Sequence, residues 1–172
     1  LESRDPDALG TWATVLKARM ETGEPYIMYK DNVNKDNPIA YRLNNLDVSM
    51  TNICSEITLF TDEWHSFICC LSSLNVAKYD EWANTDTVEL ATWFLDGVMQ
   101  EFIDKSNGKD SLIRTHNHAK KGRALGLGIM GWHTFLQQKN LPFNSIASTA
   151  HTHNIFSHIR SKAEKASMDL AQ

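Results

Sequence analysis

The spacing of hydrophobic and polar positions changes several times along this chain, and the changes divide it into helices, short extended pieces and one long connection. Asp5-Pro6 has the pattern of a helix start, a capping side chain followed by a proline where no backbone donor is needed. Leu9, Trp12, Leu16 and Met20 then recur three or four residues apart, which predicts an amphipathic helix ending at Gly23. Tyr26–Tyr29 reads as short and extended. Residues 31–51, with Asn-containing turns and Pro38, read as a long connection, and such a connection in a compact domain is usually functional or disordered. Residues 66–76 read as a buried strand. Asp86 and Glu89 make a capping-box-like start for a helix to about Lys105, with Val88, Leu90, Phe94, Leu95, Val98 and Phe102 facing inward. Ser106-Asn107-Gly108 ends it. A short buried strand at Gly126–Met130 feeds a helix at Gly131–Lys139, and Asn140–Pro142 breaks the chain before a last long helix from about Ser145. No repeat, low-complexity tract or domain-scale linker interrupts the alternation, so the expectation is an α/β layer architecture in a single partial domain over residues 1–172.

Composition narrows the class. At 172 residues and 42% hydrophobic, the chain is long enough for one domain-sized core. Three cysteines make no disulfide scaffold and point to a reducing compartment. A net charge of −4 leaves no basic footprint for nucleic acid; Lys120-Lys121 with Arg123 is a small cluster, read as solvated loop charge or as a complement to a helix end. No apolar run approaches the ~20 residues that cross a bilayer, so neither nucleic acid nor membrane is an expected partner.

The candidate chemistry lies in Thr51-Asn52-Ile53-Cys54-Ser55-Glu56-Ile57. In extended backbone, residues two apart share a face, so Asn52, Cys54 and Glu56 would point together at one small target. They supply a hydrogen-bonding amide, a reactive sulfur and a carboxylate able to take a proton. Any strand with polar alternation makes such triplets, so the spacing alone leaves a purely structural role open.

Phe67-Ile68-Cys69-Cys70-Leu71-Ser72-Ser73-Leu74-Asn75-Val76 changes that balance. Taken with the Asn-x-Cys-x-Glu loop, it resembles the large, catalytic subunit of class I ribonucleotide reductases, matched at Asn52, Cys54, Glu56 and Cys69. Thr22–Ile27 and Asp31–Asn34 look like the strand and turn that precede the loop, and Arg123–Gly131 looks like the glycine-rich strand that follows. The blocks occur in the family's order over nearly the whole chain. The resemblance implies part of a ten-stranded α/β barrel of two half-barrels, helix-rich over this stretch, with a central catalytic finger loop.

It also implies a mechanism. Cys54 would become a thiyl radical and take the hydrogen from C3′ of a ribonucleotide. Glu56 would accept the 3′-hydroxyl proton, Asn52 would bind the ribose hydroxyls, and Cys69 would supply reducing hydrogen and finish as half of a disulfide. Ile53, Ile57, Leu59, Phe67 and Ile68 would shield the sulfur radical. Implied partners are ribonucleoside diphosphates, a small radical-generating subunit that contains the metal, the rest of the large subunit, and a second large subunit. An external dithiol of thioredoxin or glutaredoxin type would restore the thiols, and a cytoplasmic location would follow. No metal or other cofactor is expected in this chain itself.

The sequence departs from the family in one respect. The partner of Cys69 lies upstream of the loop in the family, yet residues 1–53 contain no cysteine. The expectation is an internal piece of a longer catalytic subunit, inactive in isolation. Cys70, adjacent to Cys69, reads as a small buried side chain, because vicinal cysteines fit ordinary disulfide geometry poorly.

Other motifs give weaker signals. His116-x-His118 reads as part of a polar loop. His151, His153 and His158 fall on the last helix at spacings that diverge, so solvent-facing or capping roles outweigh a metal site. Gly126, Gly128 and Gly131 meet the G-x-G-x-x-G spacing but lack a convincing acidic residue at the end of a following strand, so close strand–helix packing outweighs nucleotide cradling. Trp12, Trp64, Trp82, Trp93 and Trp132 read as core and rim. Two alternatives remain beside the reductase reading: a dinucleotide-dependent oxidoreductase, and a non-catalytic reductase-derived scaffold piece.

Overall fold

A computed structural model describes residues 5–171 of the chain. The chain packs as two units, one running through Glu63 and the other beginning at Trp64.

The first unit begins with α1 (Pro6–Thr22), capped by the Asp5 carboxylate on the Asp7 amide and closed by Gly23 in the left-handed region at φ 83°. Those are the two ends expected. The stripe of Leu9, Trp12, Leu16 and Met20 is, however, exposed, with Met20 at 89%. Helical period alone identifies an apolar face, not what covers it. No strand forms at Tyr26–Tyr29, and the expected long connection contains two short helices, α2 (Lys30–Lys35) and α3 (Ile39–Leu43). Both are too short to show a helical period in sequence.

An amide side chain holds this region together. The Val48 amide donates to Asn34 Oδ1 at 2.8 Å, and Asn34 Nδ2 donates to the Val48 carbonyl at 2.9 Å, so Asn34 pairs with Val48 as a neighbouring strand would. Asn37 Nδ2 donates to the same Asn34 oxygen at 2.8 Å. Val48 and Phe60 are buried, and Tyr41 meets the Phe60 ring edge-on with centroids 5.5 Å apart.

The second unit is built on two parallel strands, β1 (Cys70–Asn75) and β2 (Leu125–Met130), paired from Cys70–Leu125 to Asn75–Met130. Parallel strands need a long crossover. Here it contains α4 (Tyr79–Trp82), α5 (Thr87–Ser106) and α6 (Ile113–Gly122). α7 (Trp132–Gln138) and α8 (Ile146–Leu170) follow β2, with Ser145 Oγ capping α8 at the Ser148 amide. Leu74, Val76, Trp82, Val88, Phe135, Leu136, Ile155 and Ile159 form the main core, with Leu127 and Ile129 packed on it. Met99, Ile103 and Ala119 form a second cluster beneath Ile68, Cys70 and Leu125.

Several expectations are corrected here. The strand expected over 66–76 is confined to Cys70–Asn75, and only Leu74 of it is buried while Leu71–Ser73 are exposed; among the described residues β2 is its one strand partner. α5 has its expected span, but Leu90, Phe94 and Val98 are exposed, while Thr92, Met99 and Ile103 are buried. Apolar residues occur almost all round α5, so sequence cannot select the buried face. Asp86 makes no capping hydrogen bond, and Glu89 instead meets Lys162 of α8 at 3.1 Å. His116 and His118 lie not in a polar loop but on α6, both buried. His116 Nδ1 and Ser106 Oγ are 2.8 Å apart and join α6 to the end of α5.

Arg123 is more than the end of a basic run. It sits in the left-handed region at φ 41° and grips Asp96 of α5 through Nε at 2.9 Å and Nη2 at 2.8 Å, with Gln100 taking Nη1 at 2.8 Å. A fork-to-carboxylate pair of this kind fixes direction as well as distance.

Two glycines sit at close approaches. A Cβ on Gly126 would meet Leu71 Cδ2, the tip of an exposed side chain that can turn aside. Gly131 sits at φ 79°, and a Cβ there would lie 2.5 Å from Asn75 Oδ1, which caps the turn at Val76–Lys78 by accepting from the Ala77 amide at 3.1 Å. Gly108, at φ 72°, has open space around it. Gly108→Ala should therefore lose about 1 kcal/mol, the cost of the left-handed backbone alone. Gly131→Ala should lose about 2–4 kcal/mol, because the Asn75 acceptor must also be displaced. Denaturant midpoints of the two variants check the ordering, and equal losses would contradict the contact with Asn75.

Candidate functional site

The loop carrying Asn52, Cys54 and Glu56 is an excursion closed at its base. The Thr61 amide donates to the Asp47 carbonyl at 3.3 Å, and Ser49 Oγ donates to the Thr61 carbonyl at 3.2 Å. Val48 and Phe60, both buried, bracket the stem, and residues 50–59 project from it.

Within the excursion the backbone is turned rather than extended. The Ser55 amide donates to the Asn52 carbonyl at 3.0 Å, and Ser55 takes φ 66°. The expected face of alternating side chains therefore does not form. The turn instead folds position 56 back onto position 52. Asn52 Nδ2 donates to Glu56 Oε1 at 2.5 Å, while Asn52 Oδ1 accepts from the Ile57 amide at 3.0 Å. One amide thus orients the carboxylate and ties down the backbone beyond it. Cys54 occupies a central position of the turn and is exposed. The expected apolar shield is incomplete, since Ile53 is 80% exposed while Ile57 and Leu59 are half-buried. A groove of about 500 Å3 runs beside Asn52, between Glu24–Lys30 and Ser49–Ile53.

Cys69 belongs to the second unit, immediately before β1, and is half-buried. Burial pushes its thiol pKa up, and the neighbouring Cys70 charge pushes it further. Its Sγ lies 3.4 Å from where a Cβ on Gly126 would stand. Cys70 is half-buried against the second apolar cluster, its pKa also raised by burial. Asn52, Cys54 and Glu56 are thus brought together within one turn, and Cys69 is placed by the sheet of the other unit.

Gly126 lies against Leu71 of the neighbouring strand rather than against a helix, and Gly131 lies against Asn75 and Ala77. His158 Nδ1 lies 2.8 Å from Tyr79 Oη, with its ring stacked on Trp82. Among the described residues, no group of three or more His, Cys, Asp or Glu is placed to hold a metal ion. No helix among them is long and apolar enough to cross a membrane. His118 carries a role that the sequence reading missed: its Nδ1 accepts from the Ile68 amide at 3.3 Å, one residue before Cys69. Leu112 and Ala119, seven residues apart with His116 between them, are the sequence signal that could have placed this histidine on a helix.

The first unit thus carries a thiol, an amide and a carboxylate in one loop, and the second carries a pair of parallel strands packed with helices and a further thiol at the entrance of β1. The model of the ribonucleotide reductase barrel domain matches residues 3–172, and the chain belongs to that family. It is 38% identical over 162 residues to the putative ribonucleoside-diphosphate reductase large subunit of Frog virus 3 (isolate Goorha), covering 94% of this chain and 29% of the viral protein. It is 36% identical over 163 residues to the ribonucleoside-diphosphate reductase large subunit of Invertebrate iridescent virus 3, of which it covers 25%. Among solved structures it is similar to the Actinobacillus ureae class Id ribonucleotide reductase alpha subunit, with a TM-score of 0.87 and 43% identity over 99% of this chain and 33% of that one. The two strands and their helices are therefore part of the family's α/β barrel, and the chain spans about a quarter to a third of the length of these relatives.

The two thiols should react differently. Cys54 is exposed and should be alkylated first. A raised pKa leaves Cys69 with less thiolate at any given pH, so its alkylation should be slower and should keep rising above the ordinary thiol range near pH ~8.5. Mass-spectrometric rates at several pH values check this, and a Cys69 rate that levels off below that range would contradict the placement.

Proposed function

We propose that this chain is the catalytic-barrel portion of a ribonucleoside-diphosphate reductase large subunit, with its turned loop as the finger at the barrel centre. The observation that carries the reading is the Asn52–Glu56 hydrogen bond across a turn whose crest is the exposed Cys54. It leaves a sulfur facing outward beside an oriented carboxylate and a groove that begins at Asn52. General-base chemistry requires this kind of positioning, with the carboxylate within hydrogen-bond reach of the hydroxyl it serves.

In this reading, the Cys54 thiyl radical takes the C3′ hydrogen of a ribonucleoside diphosphate and becomes a thiol. Glu56 accepts the 3′-hydroxyl proton, and the 2′-hydroxyl takes a proton from the thiol pair of Cys69 and a second thiol outside this chain and leaves as water. That pair becomes a disulfide as it gives two electrons and a second hydrogen, which goes to C2′; Glu56 returns its proton to the 3′-oxygen, and the C3′ hydrogen returns from Cys54, which regenerates the radical. The raised pKa of Cys69 suits a thiol that gives hydrogen and is not discharged as an exposed thiolate. The small, metal-containing subunit supplies the initial oxidation of Cys54, and a dithiol of thioredoxin or glutaredoxin type reduces the disulfide. A second large subunit completes the assembly, which would act in the cytoplasm. No cysteine precedes Cys54 in residues 1–53, so turnover is expected from a large subunit of the relatives' length and not from these 172 residues alone.

The test is deoxyribonucleotide formation by the large subunit containing this chain, mixed with its small subunit and a dithiol. Cys54→Ser should abolish turnover. Glu56→Gln should lower kcat by about 10²–10⁴-fold, the range of a lost general base. Turnover unchanged in Cys54→Ser would overturn the reading.

A further inference from the structure

Among the described residues, no strand lies beside the backbone that delivers Cys69. The sheet ladder begins only at Cys70, paired with Leu125. Backbone donors and acceptors just upstream must therefore find other partners, since an unpaired backbone group away from water costs about as much as a lost hydrogen bond. They find them on α6, at every second residue. Asn117 Nδ2 donates to the Trp64 carbonyl at 3.3 Å, the Ser66 amide donates to the Arg114 carbonyl at 3.1 Å, and the Ile68 amide donates to His118 Nδ1 at 3.3 Å. This alternation is what an extended segment shows along a neighbouring strand, but here one face of a helix takes the strand's place.

His118 is the last of these tethers and the most firmly seated. It is fully buried, at 0% exposure. Ala119, next to it, packs with Met99 and Ile103 in the cluster on which Ile68 and Cys70 also rest. Cys69 thus sits between two fixed points: the Ile68 amide held by His118 and the first ladder residue, Cys70. Slack at the first point passes directly to the Cys69 side chain.

We propose that His118 is a positioning residue for Cys69, its Nδ1 lone pair holding the Ile68 amide and so fixing the backbone from which the redox thiol projects. The proposal rests on the reading of Cys69 as a redox cysteine. The ring must then be neutral with its hydrogen on Nε2, because a protonated Nδ1 has no lone pair to offer. Disulfide formation tolerates little error in the separation and direction of the two Cβ atoms, so one hydrogen bond at the preceding residue is well placed to matter.

Two substitutions separate acceptor chemistry from bulk. Asn places its Oδ1 one bond beyond Cγ, as His places Nδ1, whereas Gln carries its oxygen one bond farther, toward the Nε2 position. The protein to use is the large subunit containing this chain, with hydrogen exchange at the Ile68 amide and alkylation of reduced Cys69 as readouts that do not depend on activity. His118→Gln should raise both rates roughly five- to tenfold, the scale of one lost hydrogen bond, and should slow turnover. His118→Asn should stay within about twofold of wild type on both rates, well inside that loss. Equal acceleration in the two variants would show that only bulk matters and would overturn the proposal, as would two variants that both match wild type. Should the Gln variant fail to fold, the Asn variant decides: wild-type rates support the acceptor role, and raised rates overturn it. A wild-type protein that reduces no ribonucleotide would sink the proposed function, while the exchange and alkylation rates would still decide the role of His118.

Discussion

The parallel pairing of β1 with β2 is the constraint on which the second unit depends. Two parallel strands cannot be joined by a tight turn, so residues between Asn75 and Leu125 must leave the sheet, build helices and return to the end where β1 began. The return is aimed by Arg123, whose guanidinium grips Asp96 of α5 just before β2 begins. Close approach and a left-handed backbone then demand glycine at 131, where the chain turns past Asn75 into α7. Leu74, Leu127 and Ile129 seal the pair onto α7 and α8. Cys69 takes its place from this arrangement, being the last residue before the ladder starts.

Elsewhere in the molecule, side chains do the work that strand partners would do. Asn34 pairs with both backbone groups of Val48. Asn52 takes the Ile57 amide while presenting its own amide to Glu56. His118 takes the Ile68 amide. Each case lies beside a candidate functional segment, where the backbone must be fixed but a full sheet would block access. A few polar side chains can hold a loop's shape while leaving its crest open, which a ladder on both edges cannot. Functional groups commonly sit on loops held by a rigid scaffold.

Much of the second unit was legible in the sequence. The glycine end at 108, the start of α8 near Ser145 and the spans of α5 and α7 follow from local rules of capping and turn formation, which act within a few residues. The Asn-x-Cys-x-Glu loop and its companion Cys69 could also be picked out, because residue type and spacing carry their chemistry. The face that α5 buries was not legible, since its apolar residues surround the helix and only its neighbours choose among them. The short helices α2 and α3 were read as loop because neither spans enough turns to show a period. His116 and His118 were read as polar loop because histidine is compatible with either setting, and their burial comes from Ser106 and Ile68, which are distant in sequence.

The sequence by itself determined the family, the order of the elements and which side chains could carry chemistry, because these depend on residue identity and short spacing. The tertiary structure decided how those side chains are presented. A left-handed Ser55 converts a row of alternating residues into a turn that closes Glu56 onto Asn52. A helix from fifty residues downstream holds the backbone at Ile68. Both outcomes depend on hydrogen bonds whose partners are chosen by geometry: every amide needs an acceptor, and which acceptor it meets is settled only when the chain has folded.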